Sequence, residues 1–145
     1  MIEKEELLTL IPHSGKMMML DRIINYNLDE KSVEAEYKIT DECIFYDDKE
    51  EGVPSWAGFE FIAQAVASLI GIKNREKEIP PKEGYIISVS QVNISLPILK
   101  KNSIIKIVSR ELNSDHPVYI FSGEIFSDGH EALSGKITVM EAVEK

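Results

Sequence analysis

The sequence contains a single cysteine, Cys43. One cysteine excludes an internal disulfide and a four-cysteine metal site. A reducing cytoplasm is the simple compartment for such a chain. Positive charge is also scarce: 16 Lys and Arg face 25 Asp and Glu, for a formal net charge of −9. Such a surface repels nucleic acid unless a basic stripe compensates, and none is apparent. The two small basic groups, Lys100–Lys101 and Lys73/Arg75/Lys77, read as solvated surface, with contact to an acidic partner as the alternative. No apolar run reaches the length of a transmembrane helix, so no membrane contact is expected. The N-terminus, MIEKEELL, lacks the basic-then-apolar layout of a signal peptide. There is no repeat, low-complexity segment or interdomain linker.

What is present suits one globular domain covering residues 1–145. Apolar residues make up 43% of the chain and charged residues 28%, ordinary values for a chain that can bury a core. Residues 2–10 form a short amphipathic helix stopped by Pro12. Residues 17–28 read as a strand. Residues 31–39 alternate cleanly, with Val33, Ala35, Tyr37 and Ile39 on one side and Ser32, Glu34, Glu36 and Lys38 on the other. Residues 41–54 are irregular, and 73–84 are a charged loop. The remainder, 85–96, 103–112, 118–127 and 131–142, is rich in β-branched and aromatic residues. Asp128–Gly129 marks a hairpin.

Between these strands lies one long apolar helix, from Ser55 to about Ile72. Ser55, after Pro54, is placed to cap it. Apolar side chains cover most of its circumference. One long helix must cover about six strands, and wrapping the sheet around the helix is the economical solution. The polar exceptions, Glu60, Gln64 and Ser68, stand at i, i+4 and i+8 and form one line. This line can face solvent or a subunit seam. Alternatively, Glu60 ends an apolar tunnel and Gln64 orients it by hydrogen bonding. Burial would then bring Glu60 towards the range of a usable acid or base. Backbone N–H groups from Trp56 to Gly58 could polarise a carbonyl. Gly58 would allow a close approach by ligand or backbone.

Three features together resemble a known family. LIPHSGKMMMLDRI (10–23) resembles the opening of 3-hydroxyacyl-[acyl-carrier-protein] dehydratases. VPSWAGFEFIAQAVASLIG (53–71) resembles their central-helix motif. The VP-x-W-x-G-x-E pattern followed by AQA is most similar to the ApeP-like dehydratase-related proteins of aryl polyene clusters. The element order also matches. The resemblance implies an α+β hotdog fold, in which a curved antiparallel sheet wraps a long helix. It implies a homodimer, or a heterodimer with another hotdog protein, whose strands pair across the interface. The substrate would be a thioester on acyl carrier protein or coenzyme A. The reaction would be loss of water from a 3-hydroxyacyl chain, with no metal or redox cofactor.

Carried over by position, Glu60 matches the catalytic carboxylate and Gln64 the helix glutamine. The backbone at Ser55–Trp56 matches the site that polarises the thioester carbonyl. The standard catalytic histidine lies 14 residues before the carboxylate, and here that position is Tyr46. Tyrosine is a poor base at neutral pH, though Tyr46 can donate a hydrogen bond to substrate. His13 is the substitute candidate, against a structural role in which it binds the turn near Asp21 or Arg22. His116 and His130 fall in predicted turns and are expected to be exposed. Cys43 reads as packing. The missing histidine keeps two alternatives open beside a dehydratase: a hotdog thioesterase, and a non-catalytic subunit that shapes a tunnel shared with an active partner.

Overall fold

The computed structural model describes residues 1–11, 15–80 and 84–142. The chain opens with β1 (Ile2–Glu3), α1 (Lys4–Leu7) and a 3-10 turn at Gly15–Met17. β2 (Arg22–Asn27), β3 (Ser32–Lys38) and the short β4 (Gly52–Pro54) follow. A 3-10 turn, Ser55–Ala57, leads into α2 (Gly58–Glu76). The chain ends with β5 (Gly84–Ile94), β6 (Ile98–Lys100), β7 (Ile104–Asp115), β8 (Val118–Ser127) and β9 (His130–Glu141). The main sheet is antiparallel with order β1-β2-β3-β7-β8-β9-β5, and β4 pairs with β6 apart from it. The order read from the sequence, short helix, two strands, long helix and four strands, lacks β1, β4 and β6, and the helix expected over 2–10 is only Lys4–Leu7, because Ile2–Glu3 pairs with β2 instead.

Strand alternation decides which face meets α2. Val33, Ala35 and Tyr37 on β3 are buried, and so are Ile105 and Ile107 on β7. Tyr119, Phe121 and Ile125 on β8 continue that face, as do Leu133, Ile137 and Val139 on β9. Phe61, Ile62, Ala65, Val66 and Leu69 of α2 join the same core. At Gly123 the helix comes so close that a Cβ would lie 2.6 Å from Ile62 Cγ2. That contact requires glycine, and it lets Ile62 bury fully, worth about 1.5–3 kcal/mol. Bulges between Ile125 and Phe126, and between Glu111 and Asn113, bend the strands and increase their twist.

Several boundaries differ from the sequence reading. The strand expected at 17–28 begins only at Arg22, because Met17 to Leu20 are held against α2 by a side chain described below. The charged stretch 73–76 is the last turn of α2, not a loop. In the irregular stretch, Gly52–Pro54 pairs with Ile98–Lys100. The span Ser55–Glu76 does reach the length and apolarity of a membrane-crossing helix, contrary to the sequence estimate. Yet 72% of its most apolar window is buried, so the sheet already uses that surface.

Two tyrosines mark the inner face. The Tyr119 hydroxyl donates to Glu141 Oε2 at 3.2 Å, with both residues buried. Burial first, then the neighbouring Glu141 charge, pushes the Tyr119 phenol up to about 12. Burial also pushes Tyr37 up. An unfolded tyrosine ionises near 10. The folded state therefore holds a proton the unfolded state loses. This contribution to stability is present in full below pH 10 and is lost as pH rises through about 12. Phenolate absorbance should show a late step near pH 12 that shrinks in Tyr119→Phe, with Tyr37 supplying what remains. Five tyrosines titrating together near pH 10 in the folded protein would contradict it.

Candidate active site

The entry to α2 is anchored sideways. Ser55 N–H donates to Pro97 O at 2.9 Å, and its hydroxyl donates to Leu96 O. Ser55 is buried and spends its side chain on this loop, so it does not cap the helix as expected from sequence. Gly58 N–H points to the Ser55 carbonyl. The close approach at Gly58 is to the sheet: a Cβ there would lie 2.8 Å from Leu133 Cδ2. Trp56, between them, is 58% exposed and meets Phe45 edge-on, with ring centroids 5.8 Å apart.

Glu60, in the first turn of α2, is half-buried. Gln64 and Ser68 have no exposed surface at all, so beyond Glu60 the polar line does not face solvent. Burying an amide requires partners, and Gln64 has strong ones. Its Oε1 accepts from Met19 N–H at 2.7 Å, and its Nε2 donates to Met17 O at 2.7 Å. The same Nε2 reaches Glu60 Oε1 at only 3.5 Å. By length the two backbone bonds dominate and the bond to Glu60 is weak. Gln64 thus clamps the segment after residues 12–14 to the helix and touches Glu60 at the margin. Ser68 donates back to Gln64 O at 2.8 Å. The backbone partners of Gln64 could not be found from sequence, since Met17 and Met19 signal nothing about their peptides.

His13 lies outside the described residues. Tyr46 is half-buried, its N–H bonded to Cys43 O at 3.0 Å and Lys101 Nζ 5.9 Å from its ring centroid. Cys43 is buried, with Sγ 3.9 Å from Met19 Sδ, a packing role. His116 and His130 are exposed, as expected. Among the described residues, no three of His, Cys, Asp or Glu converge as a metal site needs. Two open clefts, of about 500 and 480 Å³, are lined by Glu34 and Arg110 and by Asp21 and Tyr37, and Glu60 lines neither.

This frame can be set beside known proteins. The family model ApeP-like, described as ApeP dehydratase, matches residues 5–145. The chain belongs to the ApeP-like dehydratase family. It is 31% identical over 74 residues to the 3-hydroxyacyl-[acyl-carrier-protein] dehydratase FabZ of Chlamydia caviae, covering 49% of this chain and 48% of that protein. It is 31% identical over 81 residues to FabZ of Chlamydia trachomatis serovar L2, covering 52% and 53%. The chain thus spans about half the length of the curated relatives it matches. Among solved structures, the dehydratase heterocomplex ApeI:P from Xenorhabdus doucetiae superposes with a TM-score of 0.86 at 20% identity, over 95% of this chain and 91% of that one. A hypothetical thioesterase with coenzyme A from Streptococcus pneumoniae gives 0.61 at 11% identity, over 95% and 92%. At these identities the likeness is one of fold, and the fold is the hotdog. In an ApeP-like chain, then, the helix carboxylate stands in the first turn of the wrapped helix. The glutamine one turn on ties the N-terminal segment to it.

Proposed function

We propose that this chain is a subunit of a 3-hydroxyacyl-thioester dehydratase, built from residues 1–145 as one hotdog domain and working in the cytoplasm. Its substrate would be a phosphopantetheine thioester on acyl carrier protein or coenzyme A, and its product the trans-2-enoyl thioester. The observation that carries this reading is the Gln64 clamp. It ties Met19 and Met17, the latter four residues after His13 in sequence, to the side chain that also reaches Glu60. The family and the Chlamydia relatives, both 3-hydroxyacyl-[acyl-carrier-protein] dehydratases, support the same reaction.

The elimination breaks the C2–H and C3–O bonds and forms the C2=C3 double bond. Glu60 gives its proton to the leaving hydroxyl, which departs as water. A base takes the C2 proton, and His13 is this chain's candidate; a histidine from a second subunit is the alternative. The thioester carbonyl needs an N–H donor while charge builds on its oxygen. Ser55 N–H is bound to Pro97 and Gly58 N–H to Ser55, which leaves the Trp56 and Ala57 peptides for this role. The exposed Trp56–Phe45 edge pair would line the approach.

Partner chemistry is suggested by β5. Tyr85, Ile87, Val89, Val92 and Ile94 are all exposed on it, and Ile87 is 52% exposed. β5 is an edge strand, paired to β9 alone. A long apolar edge is an invitation to further pairing. A second hotdog subunit, in a homodimer or a heterodimer, fits this edge, and the Xenorhabdus structure is of a heterocomplex. The double substitution Ile87→Lys with Val89→Lys should therefore yield a folded monomer by light scattering, with dehydration lost. An unchanged oligomer would place the interface elsewhere.

The reaction itself is tested by offering 3-hydroxyacyl and saturated acyl thioesters to the purified chain, alone and with a second hotdog protein. Enoyl product supports the dehydratase. Free thiol without enoyl product would instead make the chain a thioesterase.

A further inference from the structure

We propose that the C-terminal end of α2 carries a second small-molecule site, which takes a compact uncharged ligand about the size of one aromatic ring. A cavity of about 180 Å³ lies there between the helix, the β2–β3 turn and strands β7 and β8. Thirteen residues separate Glu60 from Lys73 at its rim, about 20 Å along the helix axis. This site is therefore apart from the carboxylate, and the inference does not depend on what Glu60 does.

The walls decide size and polarity. Leu28, Leu69, Ile70, Tyr119 and Phe121 line the cavity. A cavity of about 150 Å³ lined by Leu, Ile and Phe is enough to hold benzene. The rim is held in place: Lys31 Nζ pairs with Glu111 at 3.0 Å, and Glu111 N–H donates to Lys31 O at 2.9 Å. Lys31 sits at φ 55, a turn conformation that these bonds help fix. Lys73 and Glu76, three residues apart on α2, complete the rim.

Charge decides the ligand class. Two lysines and two glutamates surround the opening, so an ion of either sign meets as much repulsion as attraction. The carbonyl end of α2 further disfavours an anion. An uncharged body that buries carbon against Leu69 and Phe121 gains without that conflict.

The test is a protein-observed NMR titration of the full chain, following the Leu69 and Ile70 methyl groups. Phenol and benzyl alcohol are compared with benzoate and benzylamine. The neutral pair should give saturable shifts, and the charged pair should bind at least tenfold more weakly. Leu28→Trp should fill the cavity and abolish the shifts. Ile70→Ala should enlarge it and admit 2-naphthol, which keeps the test decisive if Leu28→Trp does not fold. Glu60→Gln should leave the affinity within twofold. The proposal is overturned by shifts that never saturate, by equal affinity for the charged ligands, or by binding lost in Glu60→Gln.

Discussion

Glu60→Gln should remove enoyl-thioester formation, lowering kcat/KM by about 10²–10⁴, the span usual for loss of a positioned acid or base. The substitution keeps length and shape, and an amide can still meet Gln64 across the 3.5 Å gap. In the proposed elimination, what it loses is the group that would protonate the leaving hydroxyl. Glu60 is half-buried and lies at the start of α2, so the fold should hardly notice. The melting temperature should stay within about 2 °C, the scale of a change away from core contacts. Loss of rate at constant stability and constant oligomeric state separates a chemical role from a structural one. Full activity in Glu60→Gln would refute the assignment and leave the chain as the non-catalytic wall of a shared tunnel.

Gln64→Met should do the opposite and act on stability first. It preserves side-chain length and apolar volume but strips away both 2.7 Å bonds to the backbone. Met19 is fully buried, so its N–H is left without the acceptor. An orphaned buried donor costs about 1–3 kcal/mol. Met17 is half-exposed, and water can replace part of what its carbonyl loses. A total of about 2–4 kcal/mol follows, read as a drop of roughly 5–15 °C in Tm. Backbone hydrogen exchange should rise first at residues 17–20, where the clamp acts. Activity should fall with it if His13 works from this segment. A Tm unchanged in Gln64→Met would mean the clamp is replaceable by packing alone.

These two substitutions also divide what the polar line on α2 revealed before and after folding. The i, i+4, i+8 spacing alone put Glu60, Gln64 and Ser68 in one row. It could not tell a solvent seam from a working site, because a row of polar residues suits either. That Gln64 and Ser68 turn away from solvent was decided by a segment 45 residues away in sequence, through Gln64 and the Met19 peptide. The same limit explains Ser55. A serine after proline at a helix start is a sound cap by local rules. The carbonyl of Leu96, 41 residues on, competed for its hydroxyl and won. β5 is the third instance. Its β-branched residues announced a strand, but nothing local said that both its faces would lie exposed within the chain.

By itself the sequence determined the periodicities: the alternating strands, the apolar helix, the carboxylate on it, and the absence of a histidine 14 residues before that carboxylate. Those are properties of neighbours along the chain, set by backbone geometry and the need to bury apolar faces. Only the tertiary structure decided which polar groups pair. A buried amide or hydroxyl must take whatever partner the packed fold brings within about 3 Å. That partner is chosen by the crossing of segments far apart in sequence, as Met17–Met19 crosses Gln64 beside Glu60.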